Sequence, residues 1–165
     1  MSRYLIIDGY NAMHKIEEID AKKDINLEAA RFYFIKILND FMSRKNIFDK
    51  IFIVFDSKED ALGVRKYSYG DVEVLFTTRD KDADEAIVDL LRDASPRDKI
   101  SVSSDDNFVM NHARVFSRDV ISVKELKKII MLKKKNFKSK IRDKDIGENE
   151  ERGIKEELKK RWGIE

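Results

Sequence analysis

Cysteine is absent from the 165 residues, histidine occurs only twice, and tryptophan and proline once each. Without cysteine there is no disulfide, no thiol nucleophile and no Cys-ligated zinc or iron–sulfur site. With His14 and His112 the only imidazoles, a His-rich metal centre is excluded too. No apolar run approaches the roughly 18 residues that a membrane-spanning helix needs, and no signal-peptide core follows Met1. A soluble, cytoplasmic protein is the expectation. Phosphate-cradling glycine loops are also missing: neither G-x-x-x-x-G-K-[ST] nor G-x-G-x-x-G occurs, which removes P-loop and dinucleotide readings. The length suits one domain with an appended tail, large enough to hold a core without covalent staples.

Charge, by contrast, is plentiful, at 40% of residues, and the formal net value of +2 conceals a division. Residues 1–123 carry 19 Lys and Arg against 23 Asp and Glu, whereas residues 124–165 carry 15 against 9. The segment 124–144 alone holds ten basic residues and two acidic ones. An acidic body with a basic tail suits a site made of carboxylates and a second surface for a polyanion; a solvated helical face accounts for a basic run equally well.

Hydrophobic patterning predicts alternating strands and helices. Apolar, β-branched runs at 4–7, 50–55, 71–76 and 99–103 read as buried strands. Between them, 27–44 reads as a helix capped by Asn26, with Leu27, Ala30, Phe34, Ile37, Leu38 and Phe41 on one stripe. A second helix is predicted at 83–94, a short one at 106–113, and a fifth, shorter strand within 114–121. Ser122-Val123-Lys124-Glu125 fits a capping box opening a further helix, and 150–162 suits a last one. The segment holding Arg65, Lys66, Tyr67 and Tyr69 is expected to be a loop. This alternation implies βαβ units around a mostly parallel sheet, an α/β fold.

The strand runs end in acids: Asp8, Asp56, and Asp105 with Asp106 beside it. Asp84 and Glu85 stand in the first turn of the predicted helix after the 71–76 strand. In an open parallel sheet, ligands sit outside the carboxyl ends of the strands, so these side chains can share one crevice. Taken singly, an Asp after a strand serves as turn residue or helix cap. Together, carboxylates so gathered repel one another and call for a hard divalent cation. Such an ion activates water and neutralises developing charge on a phosphodiester. In Asp8-Gly9-Tyr10-Asn11, Gly9 permits a tight turn with close backbone approach, and Asn11 can orient a carboxylate or meet a phosphate.

Asp8-Gly9-Tyr10-Asn11 after the first strand, Val54-Phe55-Asp56 after the second, Ala83-Asp84-Glu85 opening a helix and Ser103-Ser104-Asp105 after a later strand occur in that order. The ordered set resembles the NYN domain in its bacterial YacP-like branch, within the PIN-like nuclease superfold. The resemblance covers about residues 3–133 and implies a three-layer α/β/α nuclease domain at 1–133 and a basic helical extension at 134–165. It further implies a Mg²⁺- or Mn²⁺-dependent endoribonuclease, with ribosome-associated cleavage of mRNA among the activities of bacterial relatives. Asp8, Asp84 and Asp105 match the family's acidic core, Asn11 its first-motif asparagine and Asp56 the acidic end of its second strand. Glu85 matches the acid beside the helix aspartate, and Asp106 is a further acid available as a metal ligand.

On the substrate side, Lys133, Lys134, Lys135 and Lys138 around Phe137 suit a phosphate backbone with an interleaved aromatic, and Arg65 and Lys66 form a second basic–aromatic cluster. His14, His112 and Trp162 read as structural. The competing function is a non-catalytic RNA- or ribosome-binding module whose acidic edge is vestigial.

Overall fold

The computed structural model describes residues 1–57, 65–78 and 80–131. Six strands form one sheet: β1 (Arg3–Asp8), β2 (Lys50–Phe55), β3 (Arg65–Tyr69), β4 (Val72–Phe76), β5 (Lys99–Ser103) and β6 (Asp119–Ile121). Their spatial order is β3-β4-β2-β1-β5-β6, parallel throughout except for the antiparallel β3–β4 pair. The helices are α1 (Gly9–Lys15), α2 (Glu17–Asp20), a 3₁₀ turn at Ala21–Asp24, α3 (Leu27–Arg44), α4 (Ala83–Asp93) and α5 (Asn107–Val115). Residues 123–131 form a further helix, α6. No helix among the described residues is long and apolar enough to cross a membrane.

Side chains on the strands alternate between two buried clusters, which gives the molecule its three layers. Leu5, Ile7, Ile51, Ile53, Val72 and Val74 face α1, α2, α3 and α6; Ile6, Val54, Leu75, Ile100 and Val102 face α4 and α5. Strands buried on both faces read as continuous apolar runs, which is why the interior strands stand out in the sequence. Asn26 caps α3 as expected, its Oδ1 accepting from the Ala29 N–H at 2.6 Å. Ser122 and Glu125 close the predicted capping box: the Ser122 hydroxyl accepts from the Glu125 N–H at 3.1 Å, and Glu125 accepts from the Ser122 N–H at 3.4 Å.

Two expectations need correction. Residues 65–69 are not a loop but an edge strand, joined to β4 through Gly70, whose φ of 58° suits a tight hairpin. Tyr67 and Tyr69 pack against the α3-side core, while Lys66 and Ser68 reach Glu73 on the other face. Burial opposes charge on Glu73, but the Ser68 hydroxyl at 2.7 Å and the Lys50 and Lys66 ammoniums outweigh it and hold the carboxyl below its usual range. Second, Asp8-Gly9-Tyr10-Asn11 is not a turn but the entry into α1.

Close approach does explain Gly9. A Cβ there would lie 2.5 Å from the Phe55 ring and 2.8 Å from the Val54 carbonyl oxygen. That ring is itself fixed between Tyr10, at 5.1 Å, and Phe76, at 5.5 Å. Gly9→Ala must push β2 and α1 apart and is expected to cost about 1–3 kcal/mol. Thermal melting reads this as a drop of roughly 2–4 °C per kcal/mol for a chain of this size; an unchanged midpoint would contradict the contact.

Candidate active site

Parallel strands β1, β2, β4 and β5 all deliver their C-terminal ends to one edge, and the acidic residues gather there. Asp8 ends β1, its Cα paired in register with Val54, while Ile7 pairs with Ser103. Asp56 follows β2, Asp84 lies in the first turn of α4, and Ser104, Asp105 and Asp106 link β5 to α5. Because β3 runs antiparallel, its first residue, Arg65, lies at the same edge opposite Phe76.

Asp8 is only 8% exposed, and its carboxyl is pushed up to about 6. Burial is the largest cause, followed by the negative charge of Asp84; Asp106 adds to it, while the Ser104 hydroxyl and the Asn11 main-chain N–H pull the other way. Ser104 Oγ donates to Asp8 Oδ2 at 3.3 Å, fixing the carboxylate across the gap between β1 and β5. Asp84 is also raised, by burial first and then by Asp106, Asp82, Asp56 and Glu85. Asp8, Asp84 and Asp106 thus share one electrostatic neighbourhood, with Asp56 beside Asp84. Asp56 is oriented by the buried Thr77, whose hydroxyl donates to Asp56 Oδ1 at 3.0 Å and accepts from the Ser57 N–H at 3.1 Å.

Asp105 has partners of its own. Its Oδ2 takes the Lys15 ammonium at 2.7 Å, and its Oδ1 accepts from the Val123 N–H at 3.1 Å. Partial burial works against its charge, but these partners hold the carboxyl below its ordinary value. Lys15 and Val123 thus engage Asp105, while Asp106 is the acid whose charge bears on both Asp8 and Asp84. Asp106 also caps α5, with Oδ1 accepting from the Phe108 and Val109 N–H groups at 2.9 and 3.2 Å. Asn11 turns to the same linker: its Oδ1 accepts from the Asp105 N–H at 3.1 Å, tying α1 to the β5–α5 connection.

Sequence patterning alone passed over Ser104, Thr77 and Asp82. Asp82 caps α4 by accepting from the Glu85 N–H at 2.8 Å, and all three are polar residues placed directly after a strand or before a helix. Arg31, from α3, is likewise at this end of the sheet: it donates to the Tyr10 hydroxyl at 2.8 Å and lies over the Phe76 ring. Lys66, expected to meet substrate, pairs with Glu73 and lies over the Phe52 ring. His14 lies on the exterior with Asp20 and Lys23. Lys133, Lys134, Lys135, Lys138, Phe137 and Trp162 lie outside the described residues.

Carboxylates in mutual repulsion, with no imidazole among them, suit a hard cation. Among the described residues, however, no three His, Asp or Glu side chains stand placed to grip one ion together. A donor set of this kind fits an ion that takes one or two carboxylates and fills its remaining positions with water or phosphate, as Mg²⁺ does.

No curated protein matches the chain. Two crystal structures of Rae1 (YacP) from Bacillus subtilis share its fold. One has a TM-score of 0.67 at 22% identity, covering 97% of this chain and 92% of that one. The other, of a tryptophan-to-leucine variant, has a TM-score of 0.69 at 22% identity, covering 93% and 91%. The family model of the YacP-like NYN domain matches residues 5–163. With the strand order and acidic edge described above, nearly the whole chain therefore belongs to the YacP-like NYN domain family, of PIN-like nuclease fold, which supports a nuclease or RNA-related role.

Proposed function

We propose that the chain is a metal-dependent endoribonuclease that hydrolyses RNA phosphodiester bonds at the C-terminal edge of its sheet. The observation that carries this reading is Asp8: a carboxylate 8% exposed, set beside Asp84 and Asp106, is unfavourable unless positive charge arrives with the ligand. Asp8 and Asp84 would hold Mg²⁺ or Mn²⁺ and leave its other positions to water or phosphate, with Asp106 and Asp56 next to them. A bound divalent cation supplies charge neutralisation for the phosphodiester and eases deprotonation of water.

The chain's own groups set the geometry. Ser104 orients Asp8, and Thr77 orients Asp56. Asn11 fixes the linker that carries Asp106. Arg65, at the start of β3, would meet a phosphate, and the lysines of the basic tail would extend the same role. RNA, including mRNA on the ribosome, is the partner that the family resemblance favours.

The test incubates the purified chain with end-labelled structured and unstructured RNAs in Mn²⁺, in Mg²⁺ and in chelator. Internal cuts that need the metal and vanish in Asp84→Asn are the expected result. Full cleavage in chelator overturns the metal requirement. Salt-sensitive RNA binding without cleavage in any divalent cation favours the non-catalytic module.

A further inference from the structure

We propose that Phe108 and His112 form a stacking platform for a nucleobase at the rim of the acidic edge, so that the chain selects RNA whose base beside the bound phosphate is unpaired. The proposal deepens the nuclease reading by naming a subsite and a substrate class.

Helix α5 turns Val109 and Ala113 into the core, both fully buried. Phe108 and His112, one helical turn apart, fall on its outer side, and Phe108 is left 47% exposed. Their rings lie 4.3 Å apart at 46°. The His112 ring is half-buried and fixed: its Nδ1–H donates to the Phe108 carbonyl oxygen at 2.8 Å. An aromatic surface held this way loses little freedom when a flat ligand settles on it.

Position gives the pair its meaning. The Phe108 N–H donates to Asp106 Oδ1, so the ring springs from the turn that Asp106 caps, and Asp106 bears electrostatically on Asp8 and Asp84. Asp106 and Phe108 are therefore two residues apart, about 3 Å of helix rise, and His112 follows one turn further along α5. The acidic edge repels a phosphate backbone by itself, and an uncharged face supplies the attraction that survives there. Stacking accepts any base, but only one that has left its duplex.

The experiment uses the full chain carrying Asp84→Asn, which is not expected to cut, and follows fluorescence anisotropy of a labelled unpaired RNA and of the same sequence as a duplex. Phe108→Ala is expected to weaken binding of the unpaired RNA about tenfold, within the range that base–aromatic stacking contributes. Phe108→Trp should restore it, and duplex affinity should not change. In the active chain, Phe108→Ala should raise KM with little change in kcat. Phe108 is exposed, so thermal melts of the variants should match the parent; a melt that falls sharply assigns Phe108 to the core and overturns the platform. Unchanged binding by Phe108→Ala, or an equal loss on duplex RNA, overturns it also. If RNA binds through Phe108 but the unsubstituted chain never cuts in Mn²⁺, the nuclease reading falls and the platform stands. If the unsubstituted chain cuts while Phe108→Ala binds unpaired RNA like its parent, only the platform falls.

Discussion

Asp8→Asn is expected to melt at a higher temperature than the unsubstituted chain at pH 8 in chelator, while losing metal-dependent cleavage altogether. In the folded chain the Asp8 carboxyl sits at about 6, against an ordinary value of 3.8. The folded state therefore binds this proton more tightly than the unfolded state does. Between those two pH values it carries more protons, so stability falls as pH rises through the window, and the cost is complete above about pH 6. A displacement of this size corresponds to about 2–3 kcal/mol, from roughly 1.4 kcal/mol per pH unit. Asparagine has the same shape and no charge, and its Oδ1 can still accept from Ser104. The gain should appear as several degrees in the melting midpoint at pH 8 and vanish near pH 4, where Asp8 is protonated in the folded chain. Mn²⁺ should raise the midpoint of the unsubstituted chain and leave that of the variant little changed, since a ligand stabilises only the state that binds it. A midpoint difference independent of pH would show that burial and the neighbouring carboxylates do not load Asp8 with this cost.

The second large effect separates two adjacent residues. Asp106→Asn keeps an Oδ1 to cap α5 at Phe108 and Val109 but removes the charge next to Asp8 and Asp84. It is expected to fold normally and lose cleavage to below detection. Asp105→Asn gives up the Lys15 pair, keeps an acceptor for the Val123 N–H, and is expected to cut within a few-fold of the unsubstituted rate. The Lys15 pair is half exposed, so its loss costs at most about 1 kcal/mol. Asp105→Ala also strands the Val123 N–H and should cost a further 1 kcal/mol or so. Single-turnover rates beside thermal melts distinguish the two. The reverse pattern, with Asp105→Asn inactive and Asp106→Asn active, would return Asp105 to the acidic core.

Most of the sheet was legible because strands covered on both faces must be apolar throughout, and each such run stops where the chain meets solvent at the active edge. β3 was hidden because an edge strand beside a charged network alternates Arg65, Tyr67 and Tyr69 with Lys66 and Ser68, which in one dimension looks like a polar loop. The helical path from Gly9 to Asp24 escaped notice because its helices are too short to display a period, and because glycine after an acid usually marks a turn. The partners of Asp105 were not readable at all. They are Lys15, which lies 90 positions away, and the start of α6. Spacing along a chain records which residues reach an edge, not which way each one faces after arriving.

The central place of β1 in the sheet has a consequence for protein synthesis. Of this sheet, the first strand to leave the ribosome lies between β2 and β5, and Asp8 takes a hydrogen bond from Ser104, 96 positions later. Contacts of such separation form late, because the intervening chain must close its loop first. A nascent chain that has not yet delivered β5 and the start of α5 carries Asp8 without Ser104 or Asp106. The acidic edge then exists only in parts, and it is complete only after the start of α5 has left the ribosome.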